Sequence, residues 1–115
     1  MKINKASVIG LGYIGLPTVA ALATQKISVL GIDVNKSAVD TINQGKIHIV
    51  EPELDVAVQA AVTRGYLQAS LTPEPADAFL IAVPTPFIDD HEPDLSYIEK
   101  AARSIAPVLK KGDLV

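Results

Sequence analysis

Short apolar runs alternate along the chain with longer segments in which apolar residues recur every three or four positions. The apolar runs predict buried strands over residues 6–10, 27–33, 66–70 and 79–83. The helical spacing predicts helices over residues 14–24, 35–44, 53–64 and 95–109. Because strands that alternate with helices favour a parallel sheet joined by crossovers, the pattern predicts a doubly wound α/β domain with helices on both faces of the sheet.

The segments between these elements carry turn residues or charged residues. Residues 46–52 are predicted to form an irregular connector, residues 73–78 a tight turn or a single helical turn, and residues 84–94 a proline-rich, acidic loop. Residues 113–115 resemble the first step of another strand. Since a domain seldom ends where a strand begins, we expect residues 1–115 to be one truncated domain of a longer protein.

Three glycines lie where the first strand hands over to the first helix. Gly10, Gly12 and Gly15 have the G-x-G-x-x-G spacing of a Rossmann-type dinucleotide site. In such a site the first glycine permits a sharp turn, the second lets the backbone approach a diphosphate, and the third lets helix and strand pack closely. The spacing alone is weak, and the alternative is a strand-to-helix turn with no ligand.

A carboxylate at the end of the second strand strengthens the dinucleotide interpretation. Asp33 lies about 20 residues beyond the glycines, where a carboxylate accepts hydrogen bonds from an adenosine ribose. The same charge would repel a 2′-phosphate, so NAD is favoured over NADP. Lys36 weakens this inference slightly, because a nearby cation could hold such a phosphate. Tyr13 and Ile14 are expected to offer backbone N–H groups to the diphosphate while their side chains flank the cofactor.

Composition excludes several other kinds of protein. The formal net charge of −3 gives no basic surplus for nucleic-acid binding. The absence of cysteine excludes a disulfide framework, a thiolate zinc site and a thiol nucleophile within this stretch. No apolar run is long enough to cross a membrane or to act as a secretory signal, so we expect a cytoplasmic protein without membrane association.

Two groups of polar residues contain side chains of the kinds that bind metals. His48, Glu51 and Glu53 lie in an irregular connector among apolar neighbours, which favours a packed loop. The acidic residues of the 84–94 loop lack the spacing of a calcium-binding loop and are interpreted as a solvated segment. No metal site is predicted.

Four segments in a fixed order resemble the UDP-glucose/GDP-mannose dehydrogenase family. GLGYIGLP is followed by GIDVN, IHIVEPEL and IAVPTP, and the similarity runs through essentially the whole chain. GYIGLP and VPTP are typical of the family as a whole. IHIVEPEL, LIAVPTPF and the DHEPD loop point more narrowly to members that act on an N-acetylated UDP-sugar.

The resemblance implies an N-terminal NAD-binding domain, of which this chain is most, followed by a central dimerisation helix and a sugar-nucleotide domain. Tyr13 and Ile14 would contact NAD, Asp33 would hold the adenosine ribose, and Thr85 would lie beside the cofactor at the end of the fourth strand. The full-length protein would be a homodimer that binds its UDP-sugar through the domain absent here. Members oxidise a primary alcohol to a carboxylate in two NAD-dependent steps with a catalytic cysteine, so this chain would contain no catalytic residue.

Two further interpretations stay open on the sequence. The glycine turn is shared with other NAD-dependent dehydrogenases, such as those of the 6-phosphogluconate and hydroxyacyl types. It would also suit a module that senses NAD without catalysing a reaction. The VPTP and EPEL segments favour the UDP-sugar dehydrogenase.

Overall fold

The computed structural model describes residues 3–49, 51, 53–83 and 95–115. The strands are β1 Lys5–Ile9, β2 Ser28–Ile32, β3 Leu67–Ser70 and β4 Ala78–Ile81. The helices are α1 Gly15–Thr24, α2 Lys36–Asn43, α3 Leu54–Thr63 and α4 Ser96–Ile105, and a short 3₁₀ turn, Ala106–Val108, follows α4. Each strand and helix predicted from the pattern is therefore present, with ends that differ by a few residues.

The four strands form one parallel sheet in the order β3-β2-β1-β4. Beyond β4, Leu114 forms a parallel bridge with Ala78, and its N–H donates to the Asp77 carbonyl at 3.0 Å. The last residues therefore begin to pair on the outer edge of β4, as the apolar ending predicts. This order places β1 at the centre of the sheet, so the loop that follows β1 lies between the ends of β2 and β4.

Each face of the sheet is covered by its own helices and has its own apolar core. Helices α1, α2 and α3 cover one face, where Val8, Leu16 and Val58 are fully buried. Helix α4 covers the other face, where Ala101 and Ile105 pack with Phe79. The predicted doubly wound α/β fold, with helices on both faces, is confirmed.

Helix α2 begins and ends at the residues that the sequence indicates. Asn35 caps it, because its side-chain oxygen accepts from the Ala38 N–H at 3.3 Å. Gly45 follows the C-cap residue Gln44 with φ +77°, a left-handed conformation that glycine adopts without strain. The start of α2 at Lys36 is thereby fixed close to Asp33, the carboxylate that the sequence assigns to the cofactor.

The prediction of one continuous helix over residues 95–109 is wrong at its carboxyl end. Helix α4 ends at Ile105, and the chain continues as a 3₁₀ turn that contains Pro107. Proline has no N–H to donate to the preceding turn, and its ring crowds the carbonyl four residues back. Within the described part of the chain, no helix is long and apolar enough to cross a membrane.

Candidate cofactor site

A cleft of about 810 Å³ opens at the carboxyl ends of the strands. The loop Gly10–Ile14 forms its floor, together with the ends of β2 and β4. Residues of α4, among them Tyr97 and Lys100, form one wall, and Leu71 and Pro73 from the β3–β4 connection contribute to another. Ligands of parallel α/β sheets bind in this position, outside the carboxyl ends of the strands.

Gly10 makes the turn that takes the chain from β1 into the loop. Its φ is +99°, which residues with a side chain rarely adopt, and a Cβ there would lie 2.5 Å from the Ala82 carbonyl oxygen. Its N–H donates to the Ile32 carbonyl at 2.7 Å. The loop therefore leaves β1 against β4 on one side and β2 on the other.

The other two glycines of the motif differ in what surrounds them. A Cβ on Gly15 would overlap the carbonyl oxygen of Gly10, so α1 can begin this close to the loop only with glycine there. A Cβ on Gly12 would meet no atom within 4 Å. Gly12 is therefore not required by packing within the described protein, and the space beside it is open for a ligand to approach the backbone.

The start of α1 offers hydrogen-bond donors next to this space. Helix α1 has no side-chain cap and no acidic residue in its first turn. Among the described residues, the backbone N–H groups of Gly12, Tyr13 and Ile14 have no hydrogen-bond acceptor. Unpaired N–H groups at a helix start carry partial positive charge and bind anions such as a diphosphate.

Leu11 anchors the loop, although its residue type carries no chemical signal. Its side chain is fully buried in the core beneath α1, and a Cβ added to Gly31 of β2 would lie 2.8 Å from the Leu11 Cδ2 atom. Gly31 thus leaves room for Leu11 between β2 and the loop. The sequence contained a usable signal for this contact, because glycine inside a buried strand often marks the close approach of another segment.

Asp33 lies at the cleft, where its carboxylate already accepts two backbone hydrogen bonds. Its Oδ2 accepts from the Leu11 N–H at 3.0 Å, and its Oδ1 accepts from the Asn35 N–H at 2.9 Å. Each carboxylate oxygen has a second lone pair, so two ribose hydroxyls can still be accepted. Lys36 instead pairs with Asp40 through an Nζ–Oδ2 distance of 3.2 Å.

The side chains of Tyr13 and Ile14 are unusually open for such large apolar groups. Tyr13 is 66 % exposed and Ile14 is 74 % exposed, and both line the cleft. Val34, directly after Asp33, is 96 % exposed and lies at the same cleft. These positions leave apolar surface that a bound aromatic or sugar ring can cover.

The structure brings five of the predicted site residues together in the lining of one cleft: Gly10, Gly12, Tyr13, Ile14 and Asp33. Gly15 does not line the cleft and lies buried at the start of α1, against the carbonyl group of Gly10. Thr85 and the rest of the 84–94 loop lie outside the described residues, and so does Val50 of the connector. His48, Glu51 and Glu53 are exposed. No group of three acidic, histidine or cysteine side chains that could hold a metal ion occurs among the described residues.

These features fit NAD. Open space beside Gly12 and the unpaired N–H groups suit its diphosphate, the Asp33 carboxylate suits its adenosine ribose, and the exposed apolar side chains suit its rings. The cleft also has the size of a small-molecule site.

Comparison with known proteins gives the same result. A UDP-N-acetyl-D-mannosamine dehydrogenase from Yersinia pestis is 67% identical over the whole chain and 27% of its own length. An NDP-N-acetyl-D-galactosaminuronic acid dehydrogenase from Ralstonia nicotianae is 71% identical over 95% of the chain and 26% of its own length. The solved UDP-N-acetyl-mannosamine dehydrogenase from Staphylococcus aureus superimposes with a TM-score of 0.92 at 44% identity, over 96% of this chain and 27% of that one.

The chain thus spans about a quarter of the length of these relatives. The family model for the NAD binding domain of the UDP-glucose/GDP-mannose dehydrogenase family matches residues 4–115. The resemblance stated from the sequence motifs is confirmed, and NAD is the cofactor of the matched domain. The chain belongs to the UDP-glucose/GDP-mannose dehydrogenase family, of which it is an NAD-binding domain.

Proposed function

We propose that the chain is the cofactor domain of a UDP-N-acetyl-D-mannosamine 6-dehydrogenase. The observation that carries this proposal is the 67% identity, over all 115 residues, with a relative of that name, together with a glycine loop that is open at Gly12. The full-length protein would oxidise the C6 alcohol of the sugar to a carboxylate. The product is a building block for bacterial surface polysaccharide, and because NAD and UDP-sugars are metabolites of the cytoplasm, we place the enzyme there.

The reaction requires two successive oxidations. A primary alcohol, two NAD⁺ and one water give a carboxylate, two NADH and three protons. Bound NAD supplies the chemistry of each step by accepting a hydride. A cysteine in the part of the enzyme beyond this chain would hold the aldehyde between the two steps, since none of the 115 residues is a cysteine.

The residues of this chain bind and orient the cofactor. The N–H groups of Gly12, Tyr13 and Ile14 receive the diphosphate, and Asp33 accepts hydrogen bonds from the adenosine ribose. The side chains of Tyr13 and Ile14 flank the cofactor. Thr85, which follows β4 in the sequence, is proposed to contact it as well.

The complete enzyme would be a homodimer that binds the UDP-sugar in a separate carboxyl-terminal domain. The resemblance to the family supports this arrangement. A quarter-length match with the relatives leaves ample sequence for a dimerisation helix and a second domain.

The name of another relative supports a second candidate substrate. The Ralstonia nicotianae relative at 71% identity is named for NDP-N-acetyl-D-galactosaminuronic acid. The corresponding alcohol is an NDP-N-acetyl-D-galactosamine, for which the UDP compound is the test substrate; it also has its acetamido group on C2 and its reacting alcohol at C6. Both relatives match this chain over the same NAD-binding domain, so the kinetics of the full-length protein decide between the two sugars.

Steady-state kinetics of the full-length protein test the proposal. The kcat/KM values for UDP-N-acetyl-D-mannosamine, UDP-N-acetyl-D-galactosamine and UDP-glucose are compared at saturating NAD. We expect the mannosamine compound to give the highest value. A higher kcat/KM for the galactosamine compound would make that compound the substrate in place of the mannosamine compound. If none of the three gives NADH, the proposed activity is refuted.

A further inference from the structure

We propose that Asp33 is a positioning residue that holds the glycine loop in its binding shape before NAD arrives. This role is separate from the contact with the adenosine ribose, although its value to the enzyme rests on the proposed function. The carboxylate links the loop to the start of α2 through the Leu11 and Asn35 N–H groups. The protein thus uses one side chain both to build the site and to line it.

The position of Asp33 allows it to connect three parts of the site. Its own N–H donates to the Ser70 carbonyl at 3.2 Å, so its backbone is tied to the end of β3. Its Oδ2 reaches the loop at Leu11, and its Oδ1 reaches Asn35, the cap of α2. A shift of the carboxylate would therefore disturb the hydrogen bonds to the loop and to the start of α2 at the same time.

Leu11 is the residue through which this link acts on the loop. Its side chain is fully buried against β2 at Gly31, while its N–H donates to Asp33. Packing thus fixes the side chain of Leu11, and the hydrogen bond to Asp33 fixes its backbone. Leu11 lies between Gly10 and Gly12 in the sequence. The residue between the first two glycines fixes the direction of the neighbouring N–H groups that face the cleft.

The charge of Asp33 makes the link stronger than an ordinary turn. Hydrogen bonds from N–H groups to a carboxylate are shorter and stronger than those to a neutral oxygen. Asn at the same position can accept with its one oxygen only, and its NH₂ group would face the N–H of Leu11 or of Asn35. Asp33→Asn should therefore loosen the loop even when no cofactor is present, and a ribose contact alone predicts no such effect.

Hydrogen exchange in the absence of NAD tests this role. In the full-length protein, amide exchange is followed by mass spectrometry in peptides that cover residues 8–14 and 33–38. Asp33→Asn should accelerate exchange of the protected Leu11 and Asn35 amides by roughly tenfold or more. The matched control is Asp40→Asn, which removes a carboxylate of α2 that pairs with Lys36 and does not touch the loop.

The outcomes separate the proposal from the function on which it rests. Unchanged exchange at Leu11 and Asn35 in a folded Asp33→Asn protein would overturn the positioning role. If that variant does not fold, Asp33→Glu decides, because it keeps the charge but moves the carboxylate by one methylene and must also accelerate exchange. Wild-type protein that fails to bind NAD in a parallel titration would refute the proposed function, while the exchange result would still decide the role of Asp33.

Discussion

Substitution of Gly12 by valine separates a glycine needed for the cofactor from glycines needed for the fold. Among the described residues, a Cβ at this position meets no atom within 4 Å, and the backbone of Gly12 is not in the left-handed region that excludes side chains. Valine should therefore fit the protein without cofactor, and the free energy of unfolding should change by about 0.5 kcal/mol or less.

The cost should appear when NAD binds. The valine side chain occupies the open space beside the unpaired N–H groups of Gly12, Tyr13 and Ile14, which the diphosphate needs. Loss of one charge-assisted hydrogen bond costs about 1.5–3 kcal/mol. The dissociation constant should rise by about ten- to 150-fold, since each 1.4 kcal/mol is a factor of ten.

Calorimetric titration with NAD and thermal unfolding followed by circular dichroism measure the two effects. The matched control is Gly15→Ala, in which the added Cβ would overlap the carbonyl oxygen of Gly10, so this variant should lose stability without cofactor. A folded Gly12→Val protein that binds NAD as tightly as wild type would refute the reasoning. The glycine loop would then be a structural turn only.

Three further predictions concern other residues. NADP should bind at least about tenfold more weakly than NAD, because the Asp33 carboxylate opposes a 2′-phosphate, and equal affinities in a titration would contradict that assignment. The buried Ser7 hydroxyl has no hydrogen-bond partner among the described residues. Ser7→Ala should therefore leave the free energy of unfolding, measured by urea titration, unchanged or raise it by up to about 1 kcal/mol. A decrease of about 1 kcal/mol in the free energy of unfolding would contradict this prediction. The N–H groups of Asn4 and Lys5 donate to Asp77 and lower its pKa below the usual 3.8, so its contribution to stability should be complete above about pH 4 and be lost as pH falls through the lowered pKa. Asp77→Asn should flatten the acid limb of a stability–pH curve, and an unchanged limb would contradict this origin.

The fold was predictable because its signals are local and repeat. Continuous apolar runs mark the buried strands, and the residue types of Asn35 and Gly45 mark both ends of α2. The carboxyl end of α4 was placed too late because the apolar spacing continues past Pro107. Helix termination there depends on one missing N–H group, which a periodicity argument does not weigh.

The candidate site was predictable only in part, for a different reason. Gly10 has a backbone conformation that few other residues adopt, and Gly15 makes a contact that a Cβ would block, so these requirements are visible in the sequence as glycines. The contacts of Leu11 with Gly31 and Asp33 depend on how β2 lies beside the loop. Such contacts join residues about 20 positions apart; glycine inside the buried strand β2 indicates that another segment approaches there, but not that this segment is Leu11.

The proposed two-step oxidation is tested by the yield of NADH per molecule of UDP-N-acetyl-D-mannosamine. This yield is measured by absorbance with the full-length protein and excess NAD. We expect about two NADH per sugar, the number that oxidation of an alcohol to a carboxylate requires. Residues 1–115 alone should give none, because the domain proposed to bind the UDP-sugar lies outside them, and they also contain no cysteine to hold the aldehyde. One NADH per sugar with release of free aldehyde would contradict the two-step oxidation. Turnover by residues 1–115 alone would contradict the assignment of sugar binding and catalysis to the rest of the enzyme.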